Sequence, residues 1–216
     1  MAAEREVGYD ARAIPVQQRG AERVDNLLDA AATIIDEVGI ASLTTSAVAE
    51  RSGSSVGVVY RYFPNAGVLV LALAERNRDR FSAELGSRIQ AGQAPDWRSY
   101  ARSCVDAYAT MARSEPGFAT VRFGDIIAMR LNPKNASRND ELGLTLMRFL
   151  VEQFGFTPTE ELEFATTVAM ETADAMIRRA FQYDAEGDPR FIEAAVSLII
   201  QLLYPHAPDG APIVIP

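Results

Sequence analysis

Residues 43–63 read LTTSAVAERSGSSVGVVYRYF. Two short helical patterns flank a glycine turn, the arrangement of a helix-turn-helix whose second helix lies in the DNA major groove. Thr44 and Thr45 precede an apolar-periodic run, where a hydroxyl caps the orphan N–H groups of a helix start. The spacing predicts a first helix over Ser46–Arg51, with Val48 and the small Ala49 facing inward. Ser52-Gly53 breaks it, because glycine accepts the positive φ of a left-handed helix end. Ser54 and Ser55 offer a second N-cap, and the next helix is predicted to run through Tyr62. Val56, Val59, Tyr60 and Phe63 recur at spacings of three and four, which predicts one buried face. Ser55, Gly57, Val58, Arg61 and Tyr62 fall on or beside the other face. Pro64 stops the helix, since it lacks an N–H and disfavours α geometry in the residue before it.

The outer face is also defined by what it lacks. From Arg51 to Ala74 there is no Asp or Glu, in a chain with 29 acids, 21 bases and a net charge of -8. An acid-free surface carrying Arg51, Arg61 and two tyrosine hydroxyls approaches a polyanion without repulsion. Gly57 removes a side chain where a phosphate backbone has to pass close. The global charge opposes this reading. Residues 1–63 hold six Arg (5, 12, 19, 23, 51, 61) and nine acids (4, 6, 10, 22, 25, 29, 36, 37, 50), a net of -3. Local field decides, and the acids stand before the motif, with Asp29, Asp36 and Glu37 on the first long helix. Non-specific affinity is expected to be modest. A short helix-turn-helix packed for structural reasons alone is the competing reading.

The segments Leu43-Thr44-Thr45, Ala49-Glu50-Arg51-Ser52-Gly53 and Gly57-Val58-Val59-Tyr60-Arg61-Tyr62-Phe63-Pro64, with an apolar helix behind them, carry a resemblance. From Val24 to Leu73 their order and spacing resemble the DNA-binding domain of the tetracycline-repressor-like (TetR) family of transcriptional regulators. The resemblance implies that Thr45 and Ser46 contact phosphate. It places Ser54, Ser55, Val56, Val58 and Arg61 near base edges, and Tyr60 and Tyr62 near phosphates. Two residues depart from the family pattern. Val58 stands where a small polar residue is frequent, so apolar contact, for example with a thymine methyl, replaces a hydrogen bond. Ala66 stands where Lys is usual, which removes a phosphate contact and flattens the log–log salt slope by about 0.9. The resemblance further implies a ligand-responsive regulator: a repressor that binds a pseudo-palindromic double-stranded operator as a homodimer and is released by a small effector. An all-helical protein-interaction module without DNA binding is the alternative.

Composition bounds the rest. The 216 residues are 48% hydrophobic, enough for a substantial core. No apolar run approaches the roughly 20 residues of a membrane helix. The start, MAAEREVGYDARAIP, carries acids and no apolar segment, so it does not read as a signal peptide. One cysteine, Cys104, excludes an internal disulfide and fits a reducing cytoplasm, the expected location. It reads as a small core residue, with a redox sensor as the alternative.

The expected fold class is all-α with about nine helices: an N-terminal three-helix helix-turn-helix DNA-binding domain and a C-terminal helical ligand-binding and dimerisation domain. Residues 1–20 read as a flexible arm, whose Arg12 and Arg19 reach a minor groove or belong to a plain tail. Residues 21–65 form the DNA-binding domain, 66–204 the effector and dimerisation domain, and 205–216 a tail. The first helix is predicted over Ala21–Val38, with Val24, Leu27, Leu28, Ala31, Ile34, Ile35 and Val38 inward and Gly39 as its C-cap. A helix over Ala66–Ile89 begins at the DNA-binding unit and ends in the next domain, so it is a mechanical link. Others are predicted at Asp96–Ser114, Pro116–Leu131, Arg138–Phe154, Pro158–Tyr183 and Pro189–Tyr204, with a loop at 132–135.

The last two helices present Leu162, Ala169, Ala173 and Met176, and Ile192, Val196, Ile199 and Leu203. Such stripes form a four-helix bundle with a symmetry mate, or are satisfied within one chain; the resemblance favours the homodimer. Trp97, Tyr108, Met111, Phe118, Phe123, Met129, Phe149 and Met170 are candidates for lining a pocket for an apolar or aromatic effector, against the reading of ordinary helical core. Arg122, Asp125, Arg130, Glu171, Asp174 and Arg178 are candidates for orienting it, although Asp174–Arg178 has the spacing of a solvated helix pair. Catalysis has little support. The one histidine, His206, has no catalytic partners around it, and there is no His/Cys cluster for a metal and no P-loop. No cofactor and no metal are expected.

Overall fold

The computed structural model describes residues 14–121 and 138–209. These contain eight α-helices, two short 3-10 turns and no strand, so the all-α expectation is met. Phe123, Met129, Arg122, Asp125, Arg130, Arg12, the 132–135 loop and the end of the tail lie outside the described residues. Among the described residues, no single helix is long and apolar enough to cross a membrane.

The helices are α1 (Ile14–Val38), α2 (Thr45–Ser52), α3 (Val56–Tyr62), α4 (Ala66–Gln90), α5 (Trp97–Ser114), α6 (Arg138–Phe154), α7 (Glu160–Phe181) and α8 (Pro189–Leu203). Local chemistry sets most of these bounds. Thr44, Ser55, Asn65, Asp96, Thr159 and Asp188 each accept a backbone N–H from the first turn of the helix that follows. Two bounds differ from expectation. Helix α1 starts at Ile14 rather than Ala21, so part of the expected arm is helical; Pro15 falls in its first turn, where a missing N–H is harmless. No helix starts at Pro116: residues 116–120 form turns, because Gly117 adopts φ 69.

A first core joins α1 to α4. It contains Leu27, Leu28, Ala31, Ile35, Val48, Val59, Phe63, Leu69 and Leu73. Val38, expected on this stripe, is 62% exposed. Val24 and Ala31 both pack on the first core, whereas Val38 is the last residue of α1, where the chain leaves the helix at Gly39.

A second core joins α5 to α8. Leu162, Ala169, Ile192, Val196, Ile199 and Leu203 are all buried in it, with Ala173 and Met176 half-buried against it. The six buried residues therefore serve the chain's own core, while Ala173 and Met176 keep part of their surface outside it. The face of α7 and α8 left outside carries Phe164, 72% exposed, and Leu198, 37% exposed. Helices α6 and α7 cross closely, since a Cβ added to Gly143 would stand 2.9 Å from the Thr167 hydroxyl.

The two cores are connected twice. Helix α4 starts in the first core and packs Phe81 against Met111 of α5 and Phe118, and its Arg76 donates to the Asp29 carboxylate of α1 at 2.7 Å. The turn after α5 is the second connection. Gly117 N–H donates to Asp36 Oδ1 at 3.0 Å, Glu115 pairs with Arg80 of α4, and Val121 is buried in the first core. Gly117 has no room for a side chain, because a Cβ there would lie 2.9 Å from the Ala32 carbonyl oxygen.

Candidate nucleic-acid interface and effector layer

The turn between α2 and α3 folds as its residues dictate. Thr44 Oγ1 accepts Ala47 N–H at 3.0 Å. Gly53 takes the left-handed conformation at φ 65, and Ser54 N–H returns to the Ala49 carbonyl at 2.9 Å. Ser55 Oγ accepts Val58 N–H at 3.3 Å and starts α3. Helix α3 has only seven residues, so the core takes one side chain per turn, Val59 and then Phe63.

The remaining α3 residues sort differently from the sequence expectation. Val56 and Tyr60, predicted to be buried, are 41% and 52% exposed. Val56, Gly57, Tyr60 and Arg61 make the exposed ridge, entered through the exposed Ser55. Val58 and Tyr62 are half-buried, and Tyr62 packs against the first core, as does Ala66 of α4. Thr45, expected at a phosphate, is buried; Thr44 beside it is the exposed capping hydroxyl. Ser46 is exposed and Ser54 half-buried.

Charge is arranged more sparingly than the motif suggests. Arg51 is held by Glu37 of α1 through two hydrogen bonds, at 3.0 and 2.5 Å. That pairing, chiefly its hydrogen bonds, holds the Glu37 carboxyl below the usual carboxylate range. Arg51 is thus committed to an acid, which corrects its place on an acid-free surface. Arg61 instead lies over the Tyr62 ring, 5.2 Å from its centroid.

The candidate pocket residues do not form one group. Tyr108, Met111 and Phe118 cluster with Phe81 of α4, with ring centroids 5.0 Å apart for Tyr108–Phe118 and 6.4 Å for Phe81–Tyr108. Trp97 lies about 16 Å from Tyr108 along α5. Its N–H donates to Asp209 at 3.1 Å, its ring meets Phe156 edge-on, and Arg98 covers it, so it anchors residues 204–209. Phe149 stacks on Tyr100 at 4.3 Å, and Met170 is half-buried on α7. Asp174 pairs with Arg178 at 2.6 Å, as their spacing suggested.

One residue of this layer was missed. Asn77 of α4 is 1% exposed and its Nδ2 has no hydrogen-bond partner among the described residues. It stands one turn after Leu73 of the first core and one turn before Phe81. A polar residue at the fourth position between two inward apolar ones was the available signal. Burial pushes the Cys104 thiol up to about 12, with the Tyr100 hydroxyl bond opposing it. At neutral pH the thiol is therefore expected to alkylate about a thousandfold more slowly than in the unfolded chain; comparable rates would contradict this.

Residues 27–73 match the family described as bacterial regulatory proteins, tetR family, and residues 95–207 match the tetracyclin repressor-like C-terminal domain. The chain belongs to the TetR family. It is a DNA-binding transcriptional regulator. A TetR-family transcriptional regulator from Streptomyces coelicolor is 32% identical, with a TM-score of 0.70 over 84% of this chain and 97% of that one. The fatty acid degradation regulator FadR from Bacillus halodurans shares the fold at 18% identity, with a TM-score of 0.59 over 82% and 94%. The HTH-type transcriptional repressor KstR from Mycolicibacterium smegmatis is 35% identical over 74 residues, 34% of this chain. That stretch spans 36% of the KstR chain.

Proposed function

We propose that this TetR-family regulator is a repressor that binds a pseudo-palindromic operator as a homodimer and is released by a small apolar or aromatic effector. The observation that carries the reading is the continuity of α4. It starts directly behind the exposed α3 ridge and packs its far end on α5, beside Tyr108, Met111 and Phe118. A compound inserted between α4 and α5 displaces a rigid helix whose other end positions α3. Asn77 supports the same layer, since an effector oxygen would satisfy its unpaired amide.

Dimerisation rests on the outer face of α7 and α8. Phe164, Val168 and Ala175 follow one another along α7, and Leu198 and Leu202 stand on α8. Pairing this face with its symmetry mate buries Phe164 and sets two α3 helices about 34 Å apart, one turn of B-DNA.

Sedimentation velocity tests the reading. The chain should sediment as a dimer and bind two copies per duplex, using a duplex enriched by the protein from a random pool. Phe164→Glu, at a site outside the core, should yield folded monomers and weaken operator binding at least tenfold. A wild-type monomer, or a Phe164→Glu dimer, would contradict it.

A further inference from the structure

We propose that Val56 sets operator specificity by packing against a thymine 5-methyl group in each half-site. The proposal rests on α3 being the recognition helix. Recognition helices meet base edges with their N-terminal residues. On α3 that end presents an unusual surface. Ser55 Oγ accepts Val58 N–H and closes the first turn. Beyond the exposed Ser55 hydroxyl, the first helical side chain to project is Val56, 41% exposed. Gly57 follows with open space around it; a Cβ there would meet nothing nearer than Ser55 Oγ at 4.0 Å. The next exposed groups, Tyr60 and Arg61, stand a full turn further on.

The leading part of the ridge therefore offers two methyl groups and a bare backbone, with no side-chain amide or charge to bond a base. In the major groove thymine presents a methyl beside its O4 acceptor, whereas guanine, cytosine and adenine present donors and acceptors with no methyl. A polar base edge against Val56 would lose its water without gaining a partner. A thymine methyl against Val56 buries apolar area on both sides. Gly57 allows the helix to sit deep enough for that contact, and Tyr60, four residues on, continues the apolar side of the ridge. Val58, the valine first assigned this role, is half-buried beside Val59 and is not the exposed one.

The test uses a duplex enriched by the protein from a random pool. Each thymine is replaced in turn by deoxyuridine, which deletes the methyl and leaves base pairing intact. Affinity is expected to fall about fourfold at one position per half-site, and about fifteenfold when both half-sites are changed. Val56→Ala, at an exposed position, should melt like wild type and bind the thymine and uracil duplexes equally. Uracil duplexes bound as tightly as thymine ones, or a Val56→Ala protein that still discriminates, would overturn the proposal while leaving DNA recognition intact. Failure to enrich any duplex would overturn both.

Discussion

Arg61→Ala should cost this regulator at least about thirtyfold in operator affinity. Each arginine lost from a DNA interface costs about 1–3 kcal/mol, and a dimer loses two. The effect concentrates on Arg61 because the motif's other arginine is already engaged. Arg51 is gripped by Glu37, whereas Arg61 rests on the Tyr62 ring and pairs with no acid among the described residues. Stacking limits the rotamers of the guanidinium without neutralising it, so little further ordering is needed on DNA. Arg51→Ala should change affinity by less than about threefold. Fluorescence anisotropy on the enriched duplex checks both variants. Equal losses for the two, or a larger loss for Arg51→Ala, would show that the wrong arginine has been assigned.

Gly117→Ala should destabilise the protein by about 2–4 kcal/mol, lowering its melting temperature by roughly 5–15 °C. Two costs add. An alanine at φ 69 is strained, and its Cβ would be driven against the Ala32 carbonyl at 2.9 Å and Ile35 Cγ2 at 3.4 Å. Neither α1 contact yields easily, because Ala32 is held in the helix and Ile35 is packed in the first core. The turn would have to leave α1, giving up the Asp36 hydrogen bond and disturbing Val121. Asp36→Asn keeps an acceptor oxygen and should melt close to wild type, whereas Asp36→Ala should not. Thermal unfolding followed by circular dichroism separates these outcomes. An unshifted Gly117→Ala melt would mean that this turn does not clamp the two cores together.

Both predictions depend on contacts that no local pattern reveals. Helix ends were legible because their causes are local: Asp96, Pro189 and Gly53 act on residues within a turn or two. The helix-turn-helix was legible for the same reason. What faces what was harder. On a helix of seven residues, periodicity of three and four marks two alternative faces, and Val56 and Tyr60 fell on the exposed one. The small-residue stripes of α7 and α8 have the chemistry of any close helix pair, so they could not distinguish packing within a chain from packing between chains. Only burial shows that Ala169, Val196 and Leu203 are already used. The pairing of Glu37 with Arg51, and of Asp36 with Gly117, joins residues far apart in sequence. Neither can be read from spacing.

The paired Arg51, the missing basic group at Ala66 and the exposed Val56 all describe a reader that relies on fit more than on charge. The central claim is that two such readers, held by one dimer, recognise a two-fold operator through the α3 ridge. Selection from a random duplex pool, followed by sequencing of the retained DNA, tests it most directly. Inverted half-sites whose centres lie about 34 Å apart on one face of the duplex are expected, and the Arg61→Ala protein should fail to retain them. A pool that shows no inverted repeat, or that Arg61→Ala enriches equally well, would contradict it.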